Sequence, residues 1–441
     1  MVQKATSLTD IYNLFKPMAL TGEQAAFYQN TAAVRDGACY EFHEGLYQRI
    51  CQSTDREHLL VVGHGGCGKS TELMMLKSKL DADEAPVILV EAEDDLDLYN
   101  FSYIDLFMLI VERTVRYADD HNFTIDSHIV SAFQRALSTR TTREYWSHDA
   151  DAGVDTELRA ATPSVLSFLK ASVKITAALK MASGLNEELR REIQPQISDI
   201  IESLNALIDN LQRQTSKPIV IIIDGLEKCR FESVRKLFVE DIASLATLDA
   251  HLVMACPIAV YRLVDEAVLS SYFFAPRVIP LIKTHNNDRD RSAFEAGVKV
   301  IKELILKRVD ASFFEKRVLE KIIAKSGGSL RDTCQILSNC AFEAEMRKNE
   351  TIDMDATDFV LKKYANDVFF RVDSAFYPRV SKIYQGDFEA RQDSELTELL
   401  YSGAVFEYNG ECWIDLHPLV CDYIEDHPKV FDWDGTDNSE E

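Results

Sequence analysis

At 441 residues the chain has room for roughly three domains of about 150 residues each. Hydrophobic residues make up 46% and charged residues 27%, which excludes a mostly disordered or collagen-like polymer. Seventy-two acidic against 48 basic side chains give a net charge of −24, so a globally basic surface for coating a polyanion is excluded.

Read in chain order, residues 1–58 form a mixed segment leading into the first strand. Phe42, Leu46 and Ile50, spaced at i, i+4 and i+8, predict a helix near its end. Met1 to Thr6 lacks the apolar core of a signal peptide. Leu59-Leu60-Val61-Val62 is an apolar run stopped by glycines, the pattern of a buried parallel strand. A helix is expected from Ser70 to Leu80, a second strand over Val87–Val90, and an amphipathic helix from Tyr103 to Val115. Asp94 and Asp95 read as a solvated loop.

Residues 119–216 read as a mainly helical insertion, with Ile197, Ile200, Ile201, Leu204, Leu207, Ile208 and Leu211 on one stripe. Within it Val165 to Met181 is broken by Lys170, Lys174 and Lys180, too polar for a transmembrane segment. It suits a core-facing helix with snorkelling lysines. Strands follow at Ile219–Ile223 and His251–Ala255. Strands alternating with helices predict an α/β fold with a parallel sheet covered on both faces. Beyond residue 290 the pattern turns helical over 291–365, and 376–427 reads as a small mixed unit. The nine cysteines are widely spread and lack Cys-x-x-Cys, as in a reduced, cytoplasmic protein, and no zinc spacing is present.

The strongest motif is Gly63-His64-Gly65-Gly66-Cys67-Gly68-Lys69-Ser70, followed by Thr71, which fits G-x-x-x-x-G-K-[ST]. Glycines allow backbone N–H groups to curl around a β-phosphate with no Cβ in the way. The helix opening at Lys69 aims its positive end at the phosphates. Lys69 reaches the β- and γ-phosphates of ATP, and the Ser70 hydroxyl is placed for Mg²⁺. The third strand ends in Asp224-Gly225-Leu226-Glu227-Lys228. A carboxylate at that tip suits Asp224 to Mg²⁺, and Glu227 is the candidate base for the attacking water.

Together these residues resemble the P-loop ATPases of the AAA+/STAND group. That resemblance implies a P-loop NTPase sheet at 59–290 with a large helical insertion, a helical lid at 291–375, a winged-helix-like domain at 376–427 and an acidic tail at 428–441. His251 to Ala255, followed by Cys256-Pro257-Ile258, is similar to the sensor-1 strand, with a thiol at Cys256 where a polar sensor is usual; slow hydrolysis is implied. Ser326-Gly327-Gly328-Ser329-Leu330-Arg331-Asp332 resembles the sensor-2 turn, which makes Arg331 the residue that reports the γ-phosphate to the lid. Ser329 also suits a helix N-cap. Leu396–Leu400, then Gly403–Tyr408, Asn409-Gly410 and Cys412–Leu416, read as helix, strand, hairpin turn and strand, as in a winged helix.

The expected activity is that of an ATP-driven molecular switch. The resemblance implies a homo-oligomer acting through a separate protein effector, in bacterial defence or stress signalling. The alternative is a DNA-associated AAA+ ATPase of the initiator or transposition-regulator kind, and a third reading is a nucleotide-binding scaffold without turnover. Residues 391–441 carry fourteen acidic against two basic side chains, a net of −12, so nucleic-acid binding through this end is not expected. Arg262, Arg277, Arg289 and Arg291 lie where a finger acting on a neighbour could sit, but read more simply as surface arginines. Arg35-Asp36 resembles an adenine-side element only loosely.

Overall fold

The computed structural model describes residues 3–137, 165–181, 184–274, 276–288, 290–386, 393–408 and 413–428. Part of the insertion, Arg289, the Asn409-Gly410 turn, Cys412 and most of the acidic tail lie outside them.

Five strands form one parallel sheet: β1 (His58–Gly63), β2 (Val87–Glu91), β3 (Val220–Asp224), β4 (His251–Pro257) and the short β5 (Arg277–Val278). Their order is β2-β3-β4-β1-β5, which seats β4 between the strand entering the phosphate loop and the strand ending in Asp224. In register, Gly63 pairs with Pro257 and Asp224 with Glu91, so the loop and the acidic tip emerge at the same carboxyl edge. Ligands of open α/β sheets gather at that edge. Only β5 escaped the sequence pattern; two residues are too few to show an alternation.

Strand side chains alternate between two cores, as a period of two requires. Leu60, Val62, Ile221, Ile223, Leu252 and Met254 face the helix Tyr103–Asp120, which buries Phe107 on that side, and the insertion, which buries Phe133, Phe168, Leu204 and Leu211. Leu59, Val61, Val220, Ile222, Val253 and Ala255 face the other way, onto Leu46, Ile50, Leu73 and Leu76. The insertion is therefore one cover of the sheet. The Val165–Lys180 helix belongs to it, and Phe168 meets Phe133 with ring centroids 4.9 Å apart. No helix among the described residues is long and apolar enough to cross a membrane.

A third core joins helices Glu295–Leu306, Val318–Lys325, Leu330–Met346 and Met354–Phe369 to the carboxyl-terminal unit. That unit comprises helix Ser394–Ser402, the antiparallel strands β6 (Val405–Tyr408) and β7 (Trp413–Leu416), and helix Pro418–Asp426. The first helix, Leu8–Leu14, also packs here, burying Ile11 beside the lid while Phe42–Gln52 stays on the sheet. The amino-terminal segment thus runs from lid to sheet. Asp94 and Asp95 depart from the expected loop: they close a helical turn, Ala92–Asp95, in which Asp95 accepts the Glu91 N–H at 3.0 Å and pairs with Arg113.

Candidate nucleotide site

The phosphate loop leaves β1 and turns into helix Lys69–Ala82 through Gly66 and Gly68, at φ +86° and +104°. Gly66 has a second reason to lack a side chain. A Cβ there would fall 2.6 Å from Ser329 Oγ, because the first turn of the Leu330–Met346 helix rests on the loop. The Leu330 N–H donates to Gly66 O at 3.0 Å, and the Arg331 N–H to the same oxygen at 3.3 Å. Gly328, at φ +84°, permits this approach by passing against the Ile282 carbonyl, where a Cβ would overlap. Ser329 caps the helix, accepting the Asp332 N–H at 3.2 Å, so the cap and the sensor-like arginine coexist.

Lys69 is buried, and its ammonium donates to Gly63 O at 3.0 Å and His64 O at 2.9 Å. The Ser70 side chain lies near enough to the Asp224 carboxylate to favour its charged form. Burial, and then the neighbouring Glu227, push the Asp224 carboxyl above its ordinary value. Burial raises Glu227 too, but the fields of Lys69 and Arg331 outweigh it and bring this carboxyl below the usual range. Arg331 Nη2 lies 3.3 Å from Glu227 Oε1. Asp224 Oδ1 and Glu227 Oε2 are buried and find no hydrogen-bond partner among the described residues.

These groups line a cavity of about 550 Å³, together with Gly66, Cys67, Gly68 and Thr71. The rest of its lining comes from Phe15, Pro17–Leu20, Tyr28, Gln29, Thr31 and Arg35 of the amino-terminal segment and from Ile301, Ile305 and Arg308 of the lid. Sequence spacing gave no hint of this wall, whose parts lie hundreds of residues apart. Arg35 was the nearest hint, and it sits buried with its Nε 2.7 Å from Thr31 Oγ1. Thr71 holds the wall to the loop by accepting the Leu20 N–H at 3.4 Å.

Gly63, His64 and Gly65 border a smaller cavity of about 80 Å³ on the other side of the loop, which shares Glu227 and Arg331 as walls. There His64 engages protein: its Nε2 accepts the Glu407 N–H of β6 at 2.9 Å, and its ring meets Phe406 edge-on at 5.4 Å. Burial, then the charges of Lys69 and Arg262, push its pKa down to about 3, so the ring is a neutral acceptor. Arg262 is tied down as well, paired with the buried Glu407 carboxylate. Arg291 forks onto Asp415 of β7 with both bonds at 2.8 Å, and Arg277 donates to the Tyr40 hydroxyl at 2.8 Å. Tyr401 completes the contact, its hydroxyl donating to Cys229 O at 2.5 Å, just past the turn that carries Glu227. Cys256 ends β4 with its thiol buried and pushed up by that burial.

Residues 39–240 match the KAP family P-loop domain, and the parallel sheet agrees: this part of the chain is a P-loop NTPase domain. No curated protein matches the chain by sequence. Among solved structures it is similar to the Aeropyrum pernix ORC1 protein in complex with DNA, at 13% identity over 95% of this chain and 97% of that one, with a TM-score of 0.39. Drosophila ORC bound to DNA gives 9% identity, 91% and 81% coverage and a TM-score of 0.40. The Thermotoga maritima RuvB Holliday junction branch migration motor gives 13% identity, 89% and 98% coverage and 0.33.

Proposed function

We propose that the protein is an ATP-binding, slowly hydrolysing switch of the AAA+/STAND kind, whose nucleotide state controls how the lid and the carboxyl-terminal unit sit on the phosphate loop. The observation that carries this is one cavity walled by Lys69, Ser70, Asp224, Glu227 and Arg331 and reached by the lid at Gly66. Lys69 and the loop amides would hold the phosphates. Ser70 and the unpaired oxygen of Asp224 fit Mg²⁺, which keeps several waters and needs few protein ligands beside phosphate oxygens. Bound there, the ion would neutralise charge on the β- and γ-phosphates.

The ion pair between Arg331 and Glu227 bears on rate. A carboxylate whose pKa lies below the usual range is a weak base. Moving the Arg331 guanidinium onto a γ-phosphate would release Glu227 to accept a proton from water. Arg331 thus links phosphate binding, activation of the base and the lid helix on which it sits. The His64 to Glu407 bond and the Tyr401 hydroxyl extend the link to the carboxyl-terminal unit, in keeping with a module that holds an inactive state. Output then rests on a homo-oligomer or a separate protein effector.

Light scattering would measure mass without nucleotide, with ADP and with a non-hydrolysable ATP analogue, in the parent and in Arg331→Ala. The switch predicts an analogue-dependent change of mass or shape in the parent that Arg331→Ala blunts. A duplex-DNA arm separates the alternative: assembly only on DNA would favour the initiator-like reading. Identical behaviour in all nucleotide states would overturn the switch.

A further inference from the structure

The two cavities on either side of the phosphate loop have two wall residues in common, Glu227 and Arg331. Their ion pair, 3.3 Å between Arg331 Nη2 and Glu227 Oε1, therefore stands as the partition between them. It passes over the loop at Gly65, where a Cβ would fall 3.0 Å from Arg331 Nη1 and 4.0 Å from Glu227 Cγ. With no side chain on Gly65, the two charged groups alone close the gap at that point. Arg331 keeps 40% of its side chain exposed, so a change of rotamer is open to it.

What lies beyond the partition suits a small anion. The cavity there holds about 80 Å³, several times what one water requires. Arg371, an exposed residue just past the Met354–Phe369 helix, marks its solvent side. Asp332 lines it too, but that carboxylate is already engaged: it accepts the Tyr364 hydroxyl at 2.7 Å and lies 3.4 Å from His417 Nε2. His417 Nδ1 accepts the Leu419 N–H at 3.1 Å, so Nε2 carries the proton that faces Asp332.

We infer that the small cavity is the exit for orthophosphate, opened by the reaction itself while ADP still fills the large one. The inference rests on the hydrolytic reading of the site. In that reaction the water oxygen bonds to the γ-phosphorus and one water proton passes to Glu227. The bond to the β-phosphate oxygen breaks, and its electron pair leaves on ADP. A protonated Glu227 neither holds Arg331 nor repels the new phosphate. Arg331, freed from its partner, can follow the anion past Gly65, and the Arg371 charge draws it on toward solvent. Leu400, Gly403 and Phe406 of the carboxyl-terminal unit wall this route, so that unit would set how long the state with both products lasts.

Orthovanadate, an analogue of phosphate, tests the route in reverse, and the result does not depend on how fast ATP is cleaved. It is added with Mg²⁺ to the ADP complex of the parent, Arg371→Lys, Arg371→Met and Arg371→Glu, and the rate at which labelled ADP becomes trapped is followed. Arg371 does not border the large cavity, so ADP affinity should be equal in all four. Trapping should slow about threefold in Arg371→Met and about tenfold in Arg371→Glu, while Arg371→Lys stays within about twofold of the parent. These differences should shrink in about 1 M salt, where charges are screened within about 3 Å. Equal trapping rates across the charge series overturn the exit, and so does a parent that binds ADP without trapping vanadate. A parent that binds ADP yet cleaves no ATP in a quenched assay would instead sink the hydrolytic reading itself.

Discussion

The two ends of the nucleotide cavity are made of different kinds of contact. At the phosphate end the groups come from one contiguous loop and two strand tips, and Lys69 bonds to carbonyls five and six residues away. Parallel pairing of β1 with β4 and β4 with β3 fixes those tips in one plane. At the other end, Gln29 meets Glu303 and Lys307 donates to Tyr28 O at 2.8 Å, so amino-terminal segment and lid are joined by side chains far apart in sequence. The first wall is held chiefly by the sheet, with Arg331 and the Gly66 contacts as its links to the lid helix. The second is built from two distant segments, so changes in the first should abolish binding or chemistry and changes in the second should alter coupling.

The largest effects should therefore come from the rigid wall. Lys69→Ala removes the cation facing the phosphates, and ATP affinity should fall roughly a hundredfold, measured by calorimetry. Glu227→Gln preserves shape while losing the base; ATP should still bind, and phosphate release should drop by roughly a hundredfold or more. Parent-like turnover in Glu227→Gln would mean that another carboxylate is the base.

Next in size are contacts of the carboxyl-terminal unit with the rigid wall, made beside the core it shares with the lid helices. Arg262→Ala would strand the Glu407 carboxylate, whose side chain is only 4% exposed. A buried charge that loses its partner costs about 3 kcal/mol or more. Amide exchange in β6 should accelerate accordingly while the β1 and β4 amides stay protected. Equal protection of β6 in parent and variant would show that the pair does not hold the unit down.

The same contact should be acid-sensitive through His64. In the folded protein this ring takes its proton only near pH 3, against about 6.5 in an unfolded chain. Between those values the unfolded state binds more protons, so stability is complete above about pH 6.5 and is lost as pH falls toward 3. From about pH 7.5 to about pH 5 the loss is about 2 kcal/mol. His64→Gln retains an acceptor for the Glu407 N–H but does not titrate. Denaturant unfolding at both pH values should show the parent losing about 2 kcal/mol more than the variant.

What could be read in the sequence follows the same division. The phosphate loop, Asp224 and Glu227 were legible because strand, turn and helix put their chemistry at fixed short spacings. Four of the five strands were legible from uninterrupted apolar runs. Arg331 stood out by its Gly-Gly-Ser turn, although nothing in the spacing told that it pairs with Glu227. Gln29 and Arg308 left no trace, because a cavity wall assembled from two distant segments has no local period. His64 illustrates a subtler gap. Its place in the loop suggested a ligand contact, but the glycine-rich turn carries its ring to the opposite side, where β6 supplies the partner. Arg262 and Arg291 looked like surface arginines until the carboxyl-terminal unit brought Glu407 and Asp415 to them.

The smallest expected effect concerns Tyr401, and it tests whether the carboxyl-terminal unit influences chemistry as well as docking. Its hydroxyl donates to Cys229 O at 2.5 Å and lies 3.5 Å from Leu226 O, bracketing the turn in which Glu227 stands. Tyr401→Phe keeps the ring against Phe231, 4.9 Å away between centroids, and deletes only the hydroxyl. One hydrogen bond of this kind is worth about 1 kcal/mol. A looser turn should lower single-turnover hydrolysis by about fivefold, with ATP affinity unchanged because Lys69 and the loop amides are untouched. Ser402→Ala in the same helix loses two local bonds, to the Leu399 carbonyl and from the Ala404 N–H, and serves as the control, with turnover expected at the parental rate. Faster turnover in Tyr401→Phe would mean that the hydroxyl restrains Glu227 rather than positions it, and the carboxyl-terminal unit would then act as a brake on the base.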